Sequence, residues 1–169
     1  MDDLMTARLM LHPMTVAEVE QVLTGERGEA RWAPGYPGVG DVNAARRFLD
    51  TCAENGDPQP LGSYEIRRRE DGWVIGGLGF HGVPDRTGTV TIGYGLVPSV
   101  RGQGYASEAV RALLAFARSR GVAAVEGDTD LGNVGSQRVM VAAGMRLVRE
   151  DEQLKYYRIS WDGLDGLGG

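Results

Sequence analysis

The chain has 169 residues, 42% of them hydrophobic, which suits one well-buried domain and argues against both two domains and disorder. Its formal net charge of −5 offers no basic stripe for a phosphate backbone, and Arg67 to Arg69 are balanced at once by Glu70 and Asp71, so nucleic acid is not an expected partner. A lone cysteine, Cys52, with no Cys or His at ligand spacing, excludes an internal disulfide and argues against a metal, while the absence of a membrane-length apolar run or signal-like start leads us to expect a cytoplasmic protein.

In chain order, Ala7 to Met14 alternates apolar and polar residues and predicts a strand. Thr15-Val-Ala-Glu18 is a capping-box pattern that should open a short helix burying Val16, Val19 and Leu23. Gly25 to Gly40 is glycine- and proline-rich loop carrying two large aromatics, Trp32 and Tyr36. Asp41 can cap a second helix whose Val42, Ala45, Phe48, Leu49 and Cys52 share a face. The pattern then switches to period two. Ser63 to Arg69, Trp73 to Phe80 and the stretch from Thr89 read as an antiparallel meander.

Thr89 to Arg120 organises the rest. It reads as a strand ending at Pro98, a glycine-rich turn, and an amphipathic helix burying Ala106, Val110, Leu113, Leu114 and Ala117. Gly121 suits the C-terminal cap, and Val122 to Thr129 would return as a strand parallel to the first through a right-handed crossover. Asn133 caps a fourth helix with Val134, Val139, Met140 and Ala143. A hairpin of Met145 to Arg149 and Gln153 to Ile159 closes the domain, set at residues 4–161, and residues 162–169 read as a frayed tail.

A glycine-rich turn feeding a helix start brings backbone N–H groups and the positive end of the helix dipole to an anion. Arg101-Gly-Gln-Gly104-Tyr-Ala106 is such a turn, and a pyrophosphate fits it. A dinucleotide fold is disfavoured, because Ser107 stands where a third glycine belongs and the preceding strands look antiparallel. A phosphate-binding loop of the Gly-Lys-Ser/Thr kind lacks its Gly-Lys.

The signature Arg101-Gly-Gln-Gly104-Tyr-Ala106 resembles that of the GCN5-related N-acetyltransferase superfamily, in the branch of the ribosomal-protein alanine acetyltransferases. Thr6-Ala-Arg-Leu9, Ile92-Gly-Tyr94, Ser107-Glu-Ala109, Asn133-Val-Gly-Ser136 and Ala143-Gly-Met145 are similar to that branch in the same order. The resemblance implies an α+β fold: a mixed, mostly antiparallel sheet of about seven strands with a splayed parallel pair, flanked by about four helices. It implies acetyl-coenzyme A as acyl donor and direct attack by a primary amine, on a peptide N-terminus or a small molecule.

Coenzyme binding would then fall to Leu96, Val97, Arg101, Gly102, Gln103, Gly104, Tyr105, Ala106, Asn133 and Ser136, with an N–H near Leu96 polarising the thioester carbonyl. Many relatives carry a tyrosine acid where this chain has Met140, and Ser136 is the substitute the branch suggests, with helix capping its other reading. Asp128 and His81 are the leading candidates for the base, with Glu126, Glu65 and a water chain beside them. Trp32 and Tyr36 lie where relatives wall the acceptor pocket, though closing the core beneath the loop is their other role, and Asp41 would suit a cationic amine. A coenzyme-binding sensor or scaffold without turnover is the alternative. A homodimer is compatible with the sequence and not required by it.

Overall fold

The computed structural model describes residues 1–161; the expected tail lies outside them. An eight-stranded sheet is formed by β1 (Leu4–Met5), β2 (Leu9–Pro13), β3 (Ser63–Arg68), β4 (Val74–His81), β5 (Thr89–Leu96), β6 (Ala124–Asp130), β7 (Arg146–Glu150) and β8 (Leu154–Ser160). Its order is β1-β2-β3-β4-β5-β6-β8-β7, and only the β5–β6 pair is parallel. The helices are α1 (Val16–Thr24), α2 (Val39–Asn55), α3 (Tyr105–Ser119) and α4 (Val134–Ala142). The α+β expectation holds, with β1 the added strand: two residues are too few to show a period.

The strand period divides these helices between two faces. Gly77 and its cross-strand partner Gly95 face α2, whereas Tyr94 points the other way and meets α4. The main core lies under α3, where Ala109, Val110, Leu113, Leu114 and Ala117 pack on strand residues such as Leu9, Leu11, Ile66 and Val125. A smaller cluster of Met14, Val19, Val22, Ala45 and Phe48 joins α1 to α2.

Local signals explain most of the helix boundaries. Thr15 and Glu18 form the expected capping box, and Gly25 ends α1 with φ 77°. The buried stripe of α1 is Val19 and Val22, whereas Val16 and Leu23 are exposed at the helix ends. Asp41 is not the first cap of α2. Gly38 holds that position, and Asp41, three residues in, accepts the Gly38 amide at 2.8 Å. Asn133 caps α4 as expected, accepting the Ser136 amide at 3.0 Å.

The start of α3 is tied to β2. Glu108 accepts hydrogen bonds from the Thr6 hydroxyl, the Arg8 backbone N–H and Arg8 Nε. Partial burial works to raise the Glu108 pKa, but these donors outweigh it and leave the carboxyl below its ordinary value of 4.5. A lowered folded-state pKa gives stability that is complete above the unfolded value and lost as pH falls through the folded one. Glu108→Gln should therefore cost about 1–2 kcal/mol at pH 7, with the deficit closing in acid as the wild-type carboxylate takes its proton. Denaturant titrations of both proteins at the two pH values measure it.

Candidate active site

Strands β5 and β6 pair only through Thr89–Ala124, Val90–Val125 and Thr91–Glu126. Beyond that, β5 stays with β4 as far as Leu96 and β6 stays with β8 as far as Asp130, so a gap opens between them. Val97 N–H donates to Ile75 O at 2.9 Å, which marks positions 97 and 75 as a hydrogen-bonded pair. Antiparallel alternation then turns the amides of Tyr94 and Leu96 away from β4 and into the gap. Arg101 Nε takes the Leu96 carbonyl at 3.0 Å.

The cradle follows a short 3-10 turn, Pro98–Val100, anchored by buried Val97 and Val100. Gly102 and Gly104 have φ of 80° and 85°, a left-handed region that a side chain disfavours. A Cβ at Gly102 would meet nothing within 4 Å, so the loop's outer face is open to a ligand. The amides from Gly102 to Ala106 lead into the first turn of α3, a donor set that fits a pyrophosphate. Arg8 braces this loop from β2. Its Nη1 donates to Gln103 O at 2.9 Å, and its guanidinium stacks 4.3 Å from the Tyr105 ring centre. Tyr105 is itself buried, so its side chain anchors the loop from beneath. Arg8 carries no site signal in the sequence beyond the motif Thr6-Ala-Arg-Leu9.

On the α2 face, a cleft of about 590 Å³ reaches from Tyr36 and Asp41 to Leu96, Val97 and Arg101, with His81 on its wall. Burial, with one opposing hydrogen bond from Gly38, raises the Asp41 carboxyl above the usual aspartate range. Tyr36 is held protonated by burial, then by the fields of Glu65 and Asp41. His81 does not titrate near neutrality, contrary to expectation. Burial, and then the Arg47 charge, push it down to about 4. Its ring lies over Gly93, where a Cβ would sit 2.5 Å from Nε2.

The other expected residues fall elsewhere. Trp32 packs edge-to-face on Tyr36 with ring centres 5.5 Å apart, and its buried indole N–H finds no acceptor among the described residues. It does not line the cleft, so it supports Tyr36 from behind. Asp128 is exposed on β6 opposite Tyr156, also outside the cleft lining. Glu126 reaches Arg158 at 3.7 Å, and Glu65, 3% exposed, is held by Arg67 Nη2 at 2.7 Å.

Ser136 faces the gap from α4. Its Oγ lies 2.7 Å from Tyr94 Oη, and the same phenol donates to Ser136 O at 3.0 Å. Tyr94 therefore bridges β5 to α4 across the opening. Burial raises its pKa, against the Ser136 hydrogen bond. Met140 is buried against β6, where a Cβ at Gly127 would lie 3.3 Å from Met140 Cε, and it offers no hydroxyl.

Splayed parallel strands, a glycine-rich turn at a helix start and a cleft on the opposite face suit an acyltransferase. The Acetyltransferase (GNAT) domain family matches residues 8–146, and the chain belongs to that acetyltransferase family. It is similar to the uncharacterized N-acetyltransferase YjdG of Bacillus subtilis, with 28% identity over 123 residues that span 72% of this chain and 73% of that protein. Among solved structures, the ribosomal-protein-S5-alanine acetyltransferase of Vibrio fischeri matches with TM-score 0.70 and 13% identity, covering 95% of this chain and 97% of that one. The ribosomal L7/L12 alpha-N-protein acetyltransferase RimL, solved with coenzyme A, matches with TM-score 0.68 and 16% identity, covering 94% and 98%. No described helix is long and apolar enough to cross a membrane.

The His81 environment predicts a titration midpoint near 4, well below the ordinary 6.5. Imidazole NMR shifts followed from pH 8 to pH 3.5 check this. A midpoint between 6 and 7 would return His81 to the list of bases active at neutral pH.

Proposed function

We propose that the chain transfers an acetyl group from acetyl-coenzyme A to a primary amine by direct attack within a ternary complex. The observation that carries the reading is the Leu96 amide, turned into an unpaired gap at the end of β5, with the glycine-rich turn following on the same chain segment. Acetyl-coenzyme A is a substrate here and supplies an activated acyl group as a thioester. The chain supplies position and charge. Amides from Gly102 to Ala106 would hold the pyrophosphate, and the main-chain edge at Tyr94 and Leu96 would hold pantetheine as an added strand does; Val97, expected to share in this, has its N–H on Ile75 O and its carbonyl on the Val100 N–H. The Leu96 N–H would stabilise charge developing on the carbonyl oxygen.

A departing thiolate takes up one proton. The hydroxyl pair Tyr94–Ser136 lies at the gap and supports a donor role there, with Met140 excluded by its chemistry. Because a thiolate leaves readily, the expected contribution is modest: Tyr94→Phe and Ser136→Ala should each lower kcat by up to about a hundredfold. The acceptor is a small-molecule or peptide amine.

The alternative of a coenzyme-binding sensor rests on Met140 in place of a phenol. Thiol release from acetyl-coenzyme A across a panel of amines separates the two. Release with at least one amine supports transfer, and tight coenzyme binding with no release on any supports the sensor. Gly104→Val should weaken coenzyme A binding at least tenfold, because position 104 has φ 85° and a Cβ there would lie 3.3 Å from Arg8 Nη2. Calorimetry reads the affinity, and a melting curve verifies that the domain stays folded.

A further inference from the structure

Asp41 uses one carboxylate oxygen on the protein and leaves the other over bare backbone. Oδ2 accepts the Gly38 amide at 2.8 Å. Oδ1 lies over β4 at Gly77, where a Cβ would sit 2.6 Å from it, so any other residue would displace the carboxylate. Gly77 is paired with Gly95 on the same face, and cross-strand Cβ positions are about 4.5–5.5 Å apart. A Cβ at Gly95 would meet nothing within 4 Å. The next residue is Leu96, whose amide faces the gap. Carboxylate, open volume and acyl-binding amide are therefore contiguous.

Helix capping alone does not explain this arrangement. The bond back to the Gly38 amide from the third helical position needs one oxygen, which an amide side chain supplies as well, and it needs neither Gly77 nor Gly95. The charge around the wall is mixed, with Asp41 the one carboxylate in the cleft lining. Glu18 on α1 and Glu65 on β3 stand near Tyr36, opposed by Arg67, which both of them already engage at 3.6 and 2.7 Å. Arg47, His81 and Arg101 line the same cleft. The hydrogen-bond partner of Asp41 is the Gly38 amide, and no cation is among the causes that move its pKa.

We propose that Asp41 Oδ1, seated over Gly77, binds the ammonium of a slender, unbranched primary amine in the open space over the neighbouring Gly95 and accepts its proton. This rests on the acyl-transfer reading above. One ammonium proton passes to Asp41 and on to solvent. The freed nitrogen forms the N–C bond, the C–S bond breaks, and the second proton shed by nitrogen balances the one taken up by the thiolate. The products are the amide, coenzyme A as its thiol, and one proton.

Asp41→Asn tests the assignment, since the amide oxygen of asparagine can still accept the Gly38 N–H. Cadaverine, glycinamide and tert-butylamine serve as probes, each titrated by calorimetry into the coenzyme A-saturated protein and assayed for thiol release from acetyl-coenzyme A. Wild type should bind cadaverine or glycinamide and reject tert-butylamine. In Asp41→Asn that binding should fall at least tenfold and kcat/KM about a hundredfold, with coenzyme A affinity unchanged within twofold. Gly95→Val, which leaves Asp41 untouched, should also exclude both slender amines. If wild type binds an amine through Asp41 but releases no thiol, the amine site stands and the transfer reading falls. Binding and turnover within threefold of wild type in Asp41→Asn, or no amine bound by wild type at all, overturns the assignment.

Discussion

The separation of β5 from β6 after three paired positions is the constraint on which the rest of the site depends. Parallel strands joined by a crossover helix ordinarily stay paired, because an unpaired buried amide is costly. Here β6 follows β8 through Asp130 while β5 follows β4 through Leu96. The cost is confined to a few main-chain groups of one strand, and those groups become a recognition edge. α3 keeps the divergence from spreading. Its Ala109, Val110 and Leu113 are fully buried in the core that carries both strands, and Arg8 and Glu108 pin its first turn to β2.

Strand period two lets β5 serve two chambers at once. Tyr94 and Leu96 turn their side chains to the α3/α4 face, while on the α1/α2 face Gly95 is open and Gly93 receives the His81 ring. β4 repeats the device. A Cβ at Gly76 would fall 2.1 Å from Gly95 O, and one at Gly79 would fall 2.6 Å from Gly62 O. These glycines are required by close approach of backbone and not by turn geometry. Gly79, with Gly77, leaves the α1/α2 face with a floor of main chain, over which Asp41 and Tyr36 reach in from α2 and from the loop before it. Gly76, paired with Leu96, belongs to the other face.

Local features of the chain were legible in the sequence. The stripe of α3, the meander from Ser63, the cap at Asn133 and the turn Arg101 to Ala106 are all contained within windows of a few residues. What escaped sequence reading is nonlocal. Arg8 and Gln103 meet across 95 residues, and Tyr94 and Ser136 across 42, with no periodicity to pair them. Asp41 was readable as a cap-type residue, but the seat of its second carboxylate oxygen depends on Gly77, on a strand that only the fold brings beneath it. For His81 the depressing influence is burial, which the sequence does not display.

Met140, which stands where the resemblance leads one to expect a tyrosine, sits closely on β6. Met140 is 2% exposed and lies against Gly127, a position without a side chain. A phenol pressed into that contact would be directed at the strand, and it would need a partner for its hydroxyl that Gly127 cannot give. The hydroxyl at the gap comes instead from β5, through Tyr94, and is oriented by Ser136 in the first turn of α4. Because Tyr94 lies two residues before Leu96 on the same strand, its hydroxyl and the Leu96 amide are placed relative to each other by one stretch of backbone. The Tyr94 bridge also ties α4 to the edge of the opening.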